Sequence, residues 1–259
     1  MKPYKGYLID LDGTIYRGNE PIPGAAEFVR YLKANRIPYL FLTNNSSASA
    51  ERVAARLSGM GVEATAQDVY TTSMATVEYL QEKAPAGASV YAIGEEGLLS
   101  QLEAAGFRLT ADDPAYVIVG IDRAFTYEKL TIATRAIRAG ATFIATNADA
   151  ALPTDNGLFP GNGSLVAAVS VASATKPIVI GKPEPIIVRY ALSVLGTEAS
   201  ETLIVGDNLF TDIEAGANSG LDSLLVLTGY STREEAARHA VQPTHIAKDL
   251  PEWQLRISL

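Results

Sequence analysis

Tyr7-Leu8-Ile9-Asp10-Leu11-Asp12-Gly13-Thr14 is the stretch around which the rest of the chain falls into order. A short apolar run ends in two carboxylates and then breaks at Gly13, the pattern of a strand giving way to a turn. Side chains two apart on a strand share a face and stand about 6.6 Å apart along the backbone, so Asp10 and Asp12 can converge on one small group. In an open α/β sheet ligands sit beyond the carboxyl ends of the strands, which places these acids for chemistry more than for packing. Taken alone, Asp-Gly after a strand is also an ordinary turn. It is not a calcium loop, because Thr14, Ile15 and Tyr16 follow where further acids and a sixth-position glycine are required.

The motif gains its weight from partners at the ends of three other apolar runs. Leu42-Thr43-Asn44-Asn45-Ser46 gathers hydroxyl, amide and backbone N–H donors suited to phosphoryl oxygens, although it also reads as a capped turn. Gly181-Lys182-Pro183 follows the run 178–180. It is no Walker loop, since Pro183 stands where a magnesium-binding Ser or Thr belongs. Lys182 could neutralise charge on a transferring group or be an ordinary solvated lysine. Val205-Gly206-Asp207-Asn208-Leu209-Phe210-Thr211-Asp212 sets an acid directly after a strand and another five residues on, oxygen ligands for a divalent ion. Asp212 could equally favour a helix N-terminus. Each motif alone ties with its structural reading; four of them at four strand ends make coincidence the poor explanation.

Composition narrows the chemistry. The 259 residues are 47% hydrophobic and 19% charged, a globular composition with room for one large domain or two smaller ones. The absence of cysteine excludes disulfides, thiolate metal sites and cysteine nucleophiles. His239 and His245 are the only histidines, both expected on the surface, which leaves little for a histidine-built zinc site or a serine triad. Carboxylates, hydroxyls and a hard cation remain. A net charge of -8 argues against a nucleic-acid-binding face. No apolar signal region precedes the first strand, and the small-apolar stretch 165–174 is interrupted by Ser170 and Ser173 and too short for a bilayer. The expectation is a soluble, cytoplasmic protein with no nucleic-acid or membrane partner.

Apolar runs at 7–10, 39–43, 90–93, 116–119, 143–146, 178–180, 203–205 and 224–227 read as buried strands. Between most of them lie amphipathic stretches at helical spacing, 25–35, 50–59, 95–105, 127–140 and 184–195. Strand and helix alternate, which predicts a parallel sheet covered on both faces. Ser49 is placed to cap a helix and Gly220 to end one. Breaks at 83–89 and 174–177 enclose a segment with its own alternation, so we expect a discontinuous core, 1–83 and 178–259, carrying an inserted α/β domain, 84–177.

With the four motifs in order, Asp10-Leu11-Asp12-Gly13-Thr14, Thr43-Asn44-Asn45, Lys182, and Gly206-Asp207 with Asp212, the chain resembles the haloacid dehalogenase superfamily of phosphatases. The long interval between Thr43 and Lys182 is similar to the subgroup with a large α/β cap. The run from Thr146-Asn147-Ala148-Asp149 through Pro160-Gly161-Asn162-Gly163-Ser164 resembles its NagD-type branch, and 161–163 is expected as a tight loop opening a helix from Ser164. The resemblance covers nearly the whole chain and implies a Rossmann-like three-layer core with a parallel sheet, plus the cap.

It implies Asp10 as a nucleophile forming an aspartyl phosphate and Asp12 as general acid and base. Mg2+ would be held by Asp10, the Asp12 carbonyl and Asp207, with Asp212 acting through water. Thr43 and Asn44 would grip phosphoryl oxygens, with Lys182 offsetting their charge. Asp12 favours ester hydrolysis over dehalogenation, which has no leaving alkoxide to protonate. The cap would shut out water and read the substrate, a small phosphorylated metabolite, through Asp122, Asn147 and Asp149 at its strand ends; Asp122 with Arg123 could also be an exposed turn. Caps of this branch pair, so a homodimer is a further expectation. Two alternatives stay open at this level: a phosphotransferase or mutase passing the phosphoryl group to a hydroxyl, and a non-catalytic metal- and phosphate-binding regulator.

Overall fold

The computed structural model describes residues 2–154 and 157–258. They form two compact units, the first made of the chain up to Thr43, Ala50–Tyr70 and the chain from Lys182 onward, the second of Asn44–Ser49 and Thr71–Gly181.

The first unit is built on a six-stranded sheet in the order His245–Ala247, Asp222–Val226, Thr202–Gly206, Gly6–Ile9, Tyr39–Thr43, Val69–Thr71. The central strand Gly6–Ile9 is buried at every residue and runs parallel to both neighbours, which is why its sequence is continuously apolar rather than alternating. Ile9 lies opposite Val205 on one side and Phe41 on the other, so the residues that follow these three leave the sheet at one edge. The helix Ala25–Ala34 buries Ala25, Phe28, Val29 and Leu32, one stripe at helical period, and packs with Leu250–Ile257. Pro185–Leu195 starts on proline, ends at a left-handed Gly196, and packs against Tyr39–Thr43 and Glu214–Ser219. Gly220 ends Glu214–Ser219 as expected.

The second unit carries a five-stranded parallel sheet in the order Ile178–Val179, Thr142–Ala145, Tyr116–Val119, Ser89–Ile93, Arg108–Leu109. Its core joins Ile93, Val117, Val119 and Phe143 to Ala133 and Ile137 of the helix Tyr127–Arg138 and to Val166 and Val169 of Asn162–Ser173. An antiparallel hairpin, Ala151–Thr154 with Gly157–Pro160, adjoins it. This is the α/β architecture that the alternation of runs predicts: a Rossmann-like core and a second α/β unit.

Three details differ from the sequence reading. The second unit takes in the helix Thr72–Lys83, which packs on Glu96–Ala104, and it extends to Gly181 because Ile178–Val179 is an edge strand of its sheet. The helix expected from Ser164 begins at Asn162, whose buried side-chain amide donates to the carbonyls of Asn147 at 2.7 Å and Val119 at 3.1 Å. The histidines are half-buried and partnered. His245 Nε2 lies 2.8 Å from the Tyr4 hydroxyl with its ring against Trp253, and His239 Nε2 lies 3.4 Å from Glu214 with its ring against Phe210. Among the described residues no helix is long and apolar enough to cross a membrane.

Candidate active site

Asp10 leaves the sheet directly after Ile9, its N–H still bonded to the Val205 carbonyl at 2.8 Å, so its backbone is as fixed as the strand itself. The Lys182 ammonium, 2% exposed, donates to Asp10 Oδ1 at 2.6 Å, to Asp212 Oδ1 at 2.6 Å and to the Leu42 carbonyl at 3.1 Å. The ordinary fate of a lysine, a solvated head, is thus excluded here. Asp212 is buried in a wide π-type turn, Leu209–Ile213, and its other oxygen accepts the Asn208 N–H at 3.1 Å. Asp207, first residue past Thr202–Gly206, accepts the Tyr230 N–H at 2.6 Å, and its carbonyl accepts the Ser231 N–H at 3.0 Å.

The acids of Asp10, Asp207 and Asp212 offer oxygens that all lie within 4.8 Å of one another. Burial pushes the Asp10 carboxyl well above the carboxylate range; Lys182 pulls it back, and Asp212 and Asp207 push it up again. Asp207 is raised to about 7 by burial and then by Asp212. Burial alone would lower Lys182, but the charges of Asp10 and Asp212 outweigh it and raise its ammonium pKa. Three carboxylates against one ammonium leave two negative charges in excess when all are ionised. An all-oxygen, doubly negative set fits a hard divalent cation.

Asp12 lies outside this group. It is exposed, and among the described residues nothing donates to its carboxylate. Desolvation by the surrounding protein raises its pKa, and the Arg56 guanidinium lowers it. Thr43 is buried at the end of its strand. The Asn44 amide donates to both carboxylate oxygens of Asp149, at 3.1 and 3.2 Å, and its carbonyl accepts from Asn147 at 2.7 Å and from the Thr72 hydroxyl at 3.0 Å. Asp149 in turn donates its N–H to Asn147 Oδ1 at 3.2 Å. Asp122 is buried rather than an exposed turn: Lys129 Nζ at 2.5 Å and the Ala124 N–H at 2.8 Å take its carboxylate, while Arg123 pairs with Glu95 at 2.8 Å.

The sequence reading missed Thr228-Gly229-Tyr230-Ser231. A Cβ on Gly229 would fall on the Asp207 carboxylate, as would one on Gly13, whose φ of +82° already favours glycine. The Thr228 hydroxyl donates to the Gly13 carbonyl at 2.7 Å, and Ser231 Oγ accepts the Leu209 N–H at 3.1 Å. The available signal was a glycine two residues past the apolar run 224–227, one more strand end at the same edge of the sheet.

Comparison with known proteins agrees with this geometry. The family described as Haloacid dehalogenase-like hydrolase matches residues 7–108, and the one described as HAD-hydrolase-like matches 179–253. The chain is 51% identical to the 5'-nucleotidase YutF of Bacillus subtilis over 98% of both chains. It is 48% identical to an acid sugar phosphatase of Staphylococcus saprophyticus over 97% of both. Among solved structures, NagD from E. coli K-12 superposes with a TM-score of 0.92 at 36% identity, covering 97% of this chain and 98% of that one. The glycerol phosphate phosphatase Rv1692 of Mycobacterium tuberculosis, solved in complex with magnesium, gives 0.90 at 40%, covering 96% and 76%. The acid cluster, its buried lysine and these likenesses over almost the full length lead to one assignment: the chain belongs to the haloacid dehalogenase-like hydrolases, in their NagD-type phosphatase branch.

Proposed function

We propose that this chain is a magnesium-dependent phosphatase that hydrolyses a small phosphomonoester, a sugar phosphate or similar metabolite, with water as acceptor. The observation that carries the reading is the Asp10 carboxylate, held by a buried lysine among two further acids and followed two residues on by the carboxyl of Asp12, to which no side chain among the described residues hydrogen-bonds. Asp10, Asp207 and the carbonyl of Asp12 would hold magnesium, with Asp212 at one remove through water; when bound the ion supplies charge neutralisation for the phosphoryl oxygens.

An Asp10 oxygen attacks phosphorus as the bond to the leaving oxygen breaks, giving an aspartyl phosphate. The bonding pair goes to the leaving oxygen, and Asp12 gives it a proton. Asp12, now a carboxylate, takes a proton from the water that attacks the aspartyl phosphate, and phosphate leaves with Asp10 restored. Lys182 keeps one Asp10 oxygen fixed and offsets charge gathering in the transition state. The Thr43 hydroxyl and the backbone N–H of Asn44 are the proposed donors to the phosphoryl group, since the Asn44 side chain is engaged by Asp149. The Asp122 carboxylate is taken by Ala124 and Lys129, and Asn147 and Asp149 bond to Asn44 and to each other, so their part in reading the substrate is to hold their loops.

Relatives near 50% identity carry different substrate names, a 5'-nucleotidase and an acid sugar phosphatase, so the proposal stays at the shared phosphomonoester. The test is phosphate release from a panel of phosphorylated metabolites with excess magnesium, with Asp10→Asn alongside. Turnover that is lost in Asp10→Asn is expected. Tight binding of the esters without release would leave a regulator instead, and preferential transfer to an added sugar would make the protein a phosphotransferase.

A further inference from the structure

Among the described residues no side chain hydrogen-bonds the exposed carboxylate of Asp12, so its position is set by its backbone. That backbone is tied to Tyr16: Asp12 forms an isolated bridge with Tyr16, the Gly13 N–H donates to the Tyr16 carbonyl at 2.7 Å, and the Tyr16 N–H donates to the Leu11 carbonyl at 3.2 Å. Tyr16 begins a small hairpin, Tyr16–Arg17 with Glu20–Pro21. Its ring is buried beneath the Arg56 guanidinium, whose central carbon stands 4.2 Å from the ring centroid. The same guanidinium donates to the Gly18 carbonyl in the hairpin turn at 2.6 Å and to the Tyr16 hydroxyl at 3.4 Å. Arg56 comes from the helix Ala50–Gly59, so a separate element of the same unit clamps the hairpin by its face and by its turn. On the other side Arg17 bonds the Thr228 carbonyl.

We propose that Arg56 is a positioning residue for the general acid Asp12, acting through Tyr16 and the hairpin turn at Gly18. The inference rests on the reading of Asp12 given above. Arginine suits the task because one planar group stacks on a ring and donates from its edge at once, which a lysine ammonium cannot do. Two steps depend on that position. As the Asp10–phosphorus bond forms and the phosphorus–oxygen bond to the leaving group breaks, the Asp12 proton must already be on line to the oxygen that receives the electron pair. The same carboxylate must then meet the water that hydrolyses the aspartyl phosphate, a step common to every ester.

A misplaced general acid leaves a chemical signature. An alkoxide leaving group needs its proton, whereas p-nitrophenolate leaves with little help. Arg56→Gln, Arg56→Lys and Asp12→Asn are therefore assayed with magnesium by rapid quench, which reads phosphoenzyme formation apart from its hydrolysis, on p-nitrophenyl phosphate and on the best alkyl phosphate of the panel. For Arg56→Gln we expect phosphoenzyme formation from the alkyl ester to slow about tenfold, a fraction of what general acid catalysis is worth, with formation from the aryl ester within about twofold and hydrolysis of the phosphoenzyme slowed alike for both. Arg56→Lys should recover part of the loss, and Asp12→Asn should show the same selectivity more strongly. An equal fall in phosphoenzyme formation from both esters, a change confined to KM, or full activity in Arg56→Gln overturns the assignment. Should Arg56→Gln fail to fold, Arg56→Lys carries the same comparison. Activity persisting in Asp10→Asn would instead overturn the reading of the reaction itself.

Discussion

Removing the Lys182 ammonium while keeping its bulk, as in Lys182→Met, tests whether the acid cluster is held together the way the distances indicate. The two contacts at 2.6 Å, to Asp10 and Asp212, correspond to a gross attraction of about 6 kcal/mol each at an effective dielectric near 20. Desolvation of a group that is 2% exposed offsets much of this, so the net cost follows the usual penalty for orphaning a buried partner, about 3–5 kcal/mol. In a chain of this size that amounts to a fall in Tm of about 6–20 °C. The loss should be largest in chelator, where the remaining acids have no counter-charge. It should shrink on adding magnesium by the extent to which the variant, with one positive charge fewer beside its acids, binds the ion more tightly than the wild type, about 1.4 kcal/mol for each tenfold in Kd. Phosphate release should drop about 10²-fold or more, the scale of removing one preorganised charge from the transition state. Thermal unfolding with and without magnesium, beside the phosphate assay, reads both. A variant that melts within 1 °C of the wild type in chelator, or retains a third of its activity, would refute the reasoning.

Three further outcomes are expected. Asp10→Asn should abolish phosphate release and the hydroxylamine-sensitive phosphoenzyme while keeping the fold, measured by rapid quench and circular dichroism; a surviving phosphoenzyme would move the nucleophile elsewhere. Gly229→Ala should destabilise by about 1–3 kcal/mol, because its Cβ meets the Asp207 carboxylate, and should weaken the magnesium-induced rise in Tm; an unchanged rise would count against it. His245 has its imidazole pKa lowered by burial, with Asp222 partly restoring it. The folded state therefore prefers the neutral ring, and this stability is present above about pH 6.5 and lost as pH falls through the lower folded value. Melting curves from pH 8 to 5 should show a smaller decline for His245→Asn than for the wild type, and equal declines would show that other groups set the acid limb.

The strands and the acids at their ends were legible because a parallel strand buried on both faces must be apolar throughout, and polar residues just beyond it have no packing reason to be there. The helix Thr72–Lys83 was not legible. It buries Thr72, Ser73 and Thr76, whose hydroxyls are satisfied by the carbonyls of Asn44, Ser46 and Thr72, so its inward face does not read as apolar. Asn162 misled for the same reason: a polar side chain inside a glycine-flanked turn is buried once three oxygens surround it. The pairing of Asn44 with Asp149 joins residues 105 apart, and no local pattern announces it. Gly229 was marked only by its place two residues past the apolar run 224–227, because its need arises from the Asp207 side chain beyond a different strand.

What ties the site together is that departures from ordinary local preference fall in one place. Three acids are crowded within 4.8 Å, a lysine is buried among them, Gly13 takes a left-handed conformation, and a wide π-type turn carries Asp212. Each makes sense only through the others. The wide turn bonds the Ile213 N–H to the Asn208 carbonyl at 3.3 Å, which also accepts the Asp212 N–H at 3.0 Å, and the Asp212 carboxylate returns to the Asn208 N–H and to Lys182. Lys182, so held, fixes one oxygen of Asp10, while Gly13 and Gly229 leave Asp207 the room that any side chain would take. Burial and the neighbouring acids oppose ionisation of Asp10 and Asp207, and a cation among them would offset both, which makes the cluster receptive to one. A site built in this way couples stability to the ion it uses, and for that reason magnesium dependence should appear in the melting temperature as well as in the rate.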